Sequence, residues 1–292
     1  MEFREFQNRA LRTDQKPGTD PTDIVVHLLG LAGEAGSVAS EYKKMLRDGG
    51  SHTWWRPKMR EELGDVLWYV AAIAHHLDLD LDEIAQASLE KATDRWLPSN
   101  SAPLDANQPD AEQLPRSGTY EFVPSRAESG RPAVDLLLNG EKVGAQLTDA
   151  SHIDDGYRFH DIFHLSYAVI LGWSPVTRLI LKRKRKSNPA TDENEDGGRA
   201  IVIEEGIAAI VFGYAAQHNM LEDISRIDQS LLDTIQMVTG QLEVGVRSQA
   251  NWESAILQGF DVFRQLVAHQ GGRVHFDADE RTLTFEAPDH TP

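Results

Sequence analysis

The sequence predicts a mainly α-helical protein, an N-terminal all-α four-helix bundle followed by an α+β C-terminal domain of helices and short β-hairpins. Two observations lead there. Over residues 1–97 apolar side chains recur at helical spacing in four successive segments joined by short connections, the pattern of a bundle. Beyond residue 131 helical periodicity returns but is interrupted by short strand-like runs around turn signals. Between these halves, residues 98–131 are rich in Pro, Ser, Asn, Gln and Gly and poor in large apolar residues, which predicts a linker. The predicted domains are therefore 1–97 and 132–292.

Phe3, Phe6, Ala10 and Leu11 mark a first amphipathic helix over 2–13, which the run Lys16–Pro21 stops. A second helix is predicted over about 22–47, with Thr22 as its cap, apolar residues from Val25 to Leu31, and Asp48-Gly-Gly-Ser51 as its end. The third, about 57–78, is almost entirely apolar beyond Gly64, as suits the central helix of a bundle. Asp80 or Asp82 then caps a fourth helix reaching about 96. In the second half, Ala133–Leu138 and Lys142–Leu147 flank Asn139-Gly140, a strong hairpin signal. Helices follow at about 156–172, 174–184, 198–218, 221–238 and 250–269, and a last hairpin joins Arg273–Phe276 to Arg281–Glu286.

With 292 residues the chain is long enough for two domains. A formal net charge of −17 argues against a grip on long duplex nucleic acid, which requires a basic surface to neutralise phosphates, but not against a mononucleotide. The absence of cysteine excludes disulfides, thiolate zinc sites and a cysteine nucleophile. The charged N-terminus lacks the apolar stretch of a signal peptide. No apolar run approaches the roughly 20 residues of a membrane span, and the longest, Val66–Leu77, is expected to be a buried helix. A cytoplasmic protein without a membrane partner is the expectation.

The most informative chemistry lies in the bundle. Glu62 and Asp65 are three residues apart and share a helix face, and Glu34 on the preceding helix completes the opposite wall. Ala32, Leu63, Val66 and Leu67 flank them, which predicts carboxylates at the rim of the core rather than on a solvated face. Clustered carboxylates repel unless a cation neutralises them, and hard oxygen ligands suit Mg²⁺ or Mn²⁺ facing a phosphate. Glu61 lies off this face and is expected in solvent.

The segments Leu28-Leu-Gly-Leu-Ala-Gly-Glu-Ala-Gly-Ser-Val-Ala39, Glu61-Glu-Leu-Gly-Asp-Val-Leu-Trp-Tyr69 and Leu89-Glu-Lys-Ala-Thr-Asp-Arg95 resemble the MazG-like all-α nucleoside triphosphate pyrophosphohydrolases. The resemblance covers residues 1–97. In that family a Glu-x-x-Glu pair and a Glu-x-x-Asp pair hold Mg²⁺ ions that activate water against a nucleotide's phosphate chain. The resemblance thus implies that Glu34, Glu62 and Asp65 are the metal-binding and catalytic residues, and that copies of the chain pair as a homodimer or higher homo-oligomer. Ser37 stands where the family has the second Glu of its first pair, and Ser40 and Ser88 where an acidic residue and an Asn are usual.

Glu41, nearly two turns beyond Glu34, either supplies the missing charge or pairs with Lys43 or Lys44 at the surface. Lys43, Lys44, Lys91 and Arg95 match basic positions of the family. Lys91 and Arg95, one turn apart, are placed to take a phosphate chain or to pair with Glu90 and Asp94. Trp68 and Tyr69 are candidates for stacking on a base, or for the core.

The second half has a constellation of its own. His160 and His164 share a helix face beside Asp161, and Glu204 and Glu205 open another helix. His160, His164 and Glu204 are the ligands of a candidate transition-metal site, the alternative being buried, hydrogen-bonded histidines. The basic run Lys182–Lys186 and the acidic run Asp192–Asp196 read as a solvated loop that neutralises itself, or as a cationic patch for a phosphate backbone. Two functions follow. One is an enzyme hydrolysing a nucleoside triphosphate or related phosphorylated nucleotide to the monophosphate and pyrophosphate. The other is a nucleotide-sensing module, with a reduced metal site, serving the C-terminal domain.

Overall fold

The computed structural model describes residues 1–16, 18, 20–99 and 102–288; Pro17 and Thr19 of the first predicted helix stop, and residues 100 and 101 of the predicted linker, lie outside the described residues. The chain divides into two compact units, Met1–Thr93 and Asp94–Pro292.

The first unit is helical. Helix α1 spans Phe3–Ala10, α2 Pro21–Asp48, α3 Trp55–His76 and α4 Leu81–Trp96. Asp20, not Thr22, caps α2: its carboxylate accepts from the Thr22 N–H, and Pro21 takes the first helical position, where a missing N–H costs nothing. Gly49, at φ +54°, closes the helix. The Asp80 carboxylate accepts from the Asp82 N–H at 2.8 Å at the start of α4. Gln7 of α1 clamps the turn between α3 and α4, donating to the Leu79 carbonyl at 2.9 Å and accepting from the Leu81 N–H at 3.0 Å. Buried Ala10, Ala71 and Leu81 form a small core with Phe6, Trp68 and Val70 against it. The apolar character of α3 is not all core, since Leu63 is 52% exposed and Leu67 36%.

The second unit is built on a five-stranded antiparallel sheet in the order β3-β2-β1-β4-β5. The strands are β1 Ser117–Arg126, β2 Pro132–Leu138, β3 Glu141–Leu147, β4 Gly272–Asp277 and β5 Thr282–Glu286. The two predicted hairpins are β2–β3 and β4–β5. The central strand, β1, lies within the predicted linker and corrects it. Tyr120 and Phe122 alternate into the core while Glu121 points away, a period-2 pattern hidden by the surrounding Ser, Gly and Pro. Pro124 is tolerated because pairing with β4 ends at Phe122, leaving one side of β1 open there.

Among the described residues six α-helices accompany the sheet: α5 Asp161–Ser166, α6 Pro175–Ile180, α7 Pro189–Asn194, α8 Gly198–Gln217, α9 Gln229–Thr239 and α10 Gln249–His269. A π-helical turn, Tyr167–Leu171, follows α5. The predicted helix over 221–238 begins only at Gln229, because Met220, Leu221 and Asp223 adopt positive φ. Ser248 and Asn251 form a capping box that starts α10, and Trp252, Ile256, Phe260, Phe263 and Leu266 carry that helix through the core. One helix among the described residues, α8, is long and apolar enough to cross a membrane by length and composition, which corrects the expectation that no apolar run has that length. Its Ala200, Glu204, Ile207, Ala208, Val211 and Ala215 are buried within the second unit.

Charge is buried here in quantity. Asp105 accepts from Arg178 at 2.7 Å, Arg116 at 2.5 Å and the Leu114 N–H at 2.8 Å. Arg185 pairs with Asp196 at 2.7 Å and Glu243 at 2.6 Å. The basic and acidic runs are therefore not simply a solvated loop, since Arg185 and Asp196 both turn inside. Burial pushes the Asp105 carboxyl up, but the Leu114 N–H and the guanidinium groups of Arg116 and Arg178 outweigh it and hold the group below the ordinary Asp value of 3.8. A depressed pKa contributes stability above the unfolded value that is lost as pH falls through the folded one. Asp105→Ala leaves Arg178 buried beside an empty place and is expected to destabilise the second unit by about 3–5 kcal/mol at neutral pH. Denaturant unfolding of the full chain should show that gap narrowing as pH falls below the ordinary Asp value.

Candidate metal and nucleotide site

Helices α2 and α3 pack along each other and bring Glu34 opposite the Glu62–Asp65 pair. One carboxylate oxygen from each of the three lies within 4.8 Å of the others. The close approach is helped by Gly30, where an added Cβ would fall 2.3 Å from the Tyr69 ring. Glu34 and Glu62 are partly buried and Asp65 is exposed. Glu61 is off the cluster, with its carboxylate 2.9 Å from Lys58. Hard oxygen donors converging from two helices are the kind of donor set that Mg²⁺ or Mn²⁺ takes.

The other predicted site residues of the bundle divide between free and engaged. Glu41 is buried and hydrogen-bonded to His52, and it pairs with Lys44 at 3.0 Å. Hydrogen bonds from His52 and Lys44 hold its carboxyl below the usual range. Lys43 and Lys91 are exposed. Arg95, in the last turn of α4 and already part of the second unit, is buried against Glu253 at 3.2 Å and donates to the Ile227 carbonyl at 3.1 Å. Trp68 packs on the small core and donates its indole N–H to Thr13 Oγ1 at 2.9 Å, with its ring stacked on His27 at 5.8 Å.

A second group in the first unit had no sequence signal. Asp14, His27 and His76 are buried together, with His27 Nε2 3.1 Å and His76 Nε2 3.9 Å from the Asp14 carboxylate. They come from a loop and two helices and share no spacing rule.

In the second unit His160, Asp161 and His164 offer ligand atoms within 4.8 Å of one another. Glu204, predicted as a ligand beside the two histidines, instead binds His164 Nδ1 at 2.9 Å, Ser174 Oγ at 2.6 Å and the Val176 N–H at 2.8 Å. Its neighbour Glu205 faces the other ring nitrogen, 3.5 Å from His164 Nε2. Burial disfavours a charged His164, yet the Glu204 carboxylate, with Glu205 and Asp161, outweighs it and pushes the pKa up to about 10. The helical spacing of His160 and His164 exposed this cluster in the sequence; the parts played by Asp161 and Glu205 were not assigned.

Comparison with known proteins places both halves of the chain in one family. Residues 26–96 match the MazG nucleotide pyrophosphohydrolase domain, and residues 99–289 match the MazG C-terminal domain, so the half not recognised from sequence has a family too. The "Gene 37 protein" of Mycobacterium phage L5 is 40% identical over 96 residues, which cover 31% of this chain and 84% of that protein. No solved structure matches the chain. With its acidic cluster inside the first matched segment and its sheet and helices inside the second, the chain belongs to the MazG family.

Proposed function

We propose that the chain hydrolyses a nucleoside triphosphate, or a related phosphorylated nucleotide, to the monophosphate and pyrophosphate, with Mg²⁺ or Mn²⁺ as cofactor. The observation that carries this reading is the convergence of Glu34, Glu62 and Asp65 within the segment matching the pyrophosphohydrolase domain. These three carboxylates would hold the cation, whose charge when bound offsets that of the phosphates and makes water a stronger nucleophile. Glu34 on α2 and the Glu62–Asp65 pair on α3 fix the oxygens from two rigid elements, so little has to be ordered when substrate arrives. Exposed Lys43 and Lys91 supply positive charge for the phosphate chain. Arg95, which lies in the second unit and pairs with Glu253, is left out of this reading.

A pair of chains is part of the proposal. Val25 and Leu29 on α2, and Leu63 and Leu67 on α3, form exposed apolar stripes at one-turn spacing next to the acids, and a second copy covering them would shield the site from water. One observation favours the sensor alternative. Glu41, the residue able to replace the charge absent at Ser37, is engaged by Lys44 and His52.

Turnover of a nucleotide panel by the full chain is expected to require Mg²⁺ or Mn²⁺ and to stop in chelator. Glu62→Gln should lower it by more than the roughly 10–100-fold that loss of a mere outer partner of a metal ligand causes. In the same variant the rise in melting temperature on adding Mg²⁺ should disappear, because a ligand specific to the folded state stabilises only while it binds. Ser37→Glu is expected to tighten Mg²⁺ and increase turnover. Nucleotide binding without hydrolysis, in both the wild type and Ser37→Glu, would instead establish the sensor.

A further inference from the structure

We propose that His160, Asp161 and His164 form a binding site for a divalent transition-metal cation in the second unit, with Glu205 at its outer side and Glu204 as a positioning residue. The site is separate from the carboxylate cluster of the bundle and does not depend on the chemistry proposed there.

The two imidazoles are oriented in the same way. His160 Nδ1 donates to the Tyr157 carbonyl at 2.9 Å, and His164 Nδ1 is held by the Glu204 carboxylate at 2.9 Å. Fixing Nδ1 in this manner leaves Nε2 of each ring as the ligand atom, and a carboxylate behind a histidine raises its basicity toward a metal. The rings are locked as well as oriented. Tyr157 stacks on His160 with centroids 4.4 Å apart and planes at 4°, and His164 is wholly buried.

Both Nε2 atoms then look at carboxylate oxygens. His160 Nε2 is 3.5 Å from Asp161 Oδ1, and His164 Nε2 is 3.5 Å from Glu205 Oε2. Ligands held about 2.0–2.1 Å from Zn²⁺ at tetrahedral angles stand about 3.4 Å apart, so each separation suits two ligands of one ion, and ligand atoms of His160, Asp161 and His164 lie within 4.8 Å of one another. They are long for hydrogen bonds, and His164 Nε2 is a buried atom with no hydrogen-bond partner among the described residues. A buried nitrogen without a partner is costly, and a cation removes that cost. Nitrogen donors mixed with carboxylates select a first-row transition ion over Mg²⁺ or Ca²⁺.

The arrangement also explains the order of residues on α8. Adjacent Glu204 and Glu205 straddle His164, one behind Nδ1 and the other before Nε2. Glu204 is anchored by Ser174 and the Val176 N–H and so is a poor candidate for direct coordination. Half-exposed Glu205 is free to swing toward the ion.

The test uses the full chain carrying Glu62→Gln, which is expected to remove any metal response of the bundle. After chelator treatment and dialysis, Zn²⁺ is titrated by calorimetry, and Co²⁺ is added while visible absorption is recorded. One equivalent of Zn²⁺ is expected to bind, with Co²⁺ bands indicating nitrogen ligands. His160→Ala and Asp161→Asn should each abolish the high-affinity equivalent. Glu204→Gln should weaken it by about 10–100-fold while leaving the stoichiometry unchanged. Circular dichroism in chelator separates lost binding from lost folding, and His160, partly exposed at the surface, is the variant that tolerates replacement best. Absence of Zn²⁺ binding by the folded protein overturns the proposal. So does binding that survives His160→Ala but is lost in His27→Ala, which would place the ion at the Asp14–His27–His76 group instead.

Discussion

A charge that cannot reach water must be matched inside the protein, and the second unit depends on that constraint being met. Arg178 and Arg185 are each only 1% exposed, and Asp105 and Asp196 are fully buried. None of these ions would be stable there alone, since desolvation of a single unpaired ion exceeds what its packing returns. Together they join the segment before β1, helix α6, the basic run after it, and Glu243 before α10. The matched pairs fix these segments in register, which apolar contacts alone, being non-directional, do not.

The first unit is organised differently. Its core is small and made largely of alanine, so the helices are held by close approach and by specific polar clamps such as Gln7 rather than by large buried side chains. Much of its apolar surface, including Leu29, Leu46 and Trp54, is exposed in the single chain. A bundle of this kind presents its acids on rigid helices while leaving apolar side chains exposed on the single chain. The carboxylate cluster and the exposed apolar stripes are thus two results of one arrangement, α2 laid along α3.

The histidine cluster shows how fine a distinction local structure makes. Glu204 and Glu205 are consecutive, and a helix turns about 100° between consecutive residues. One therefore enters the core behind His164 while the other remains half in water, and their chemistry differs accordingly. Charge and spacing in the sequence found the cluster but not which glutamate turns inside, because the rotation of α8 about its own axis is set by Ile207, Val211 and Ala215 packing inward.

The sequence by itself determined the helices of the first unit, both hairpins of the second, and the acidic cluster, because helical and strand periodicities are local and Glu34, Glu62 and Asp65 obey them. It also identified His160 and His164 for the same reason. Only the tertiary structure decided that residues 98–131 carry a central strand and the Asp105 carboxylate, because a strand's place in a sheet rests on partners more than a hundred residues away in β4. It alone decided that Arg95 belongs to Glu253, that Glu41 belongs to His52 and Lys44, and that Asp14, His27 and His76 meet. Such pairings join groups with no fixed sequence separation, and they arise from which elements the core brings together rather than from the pattern within any one element.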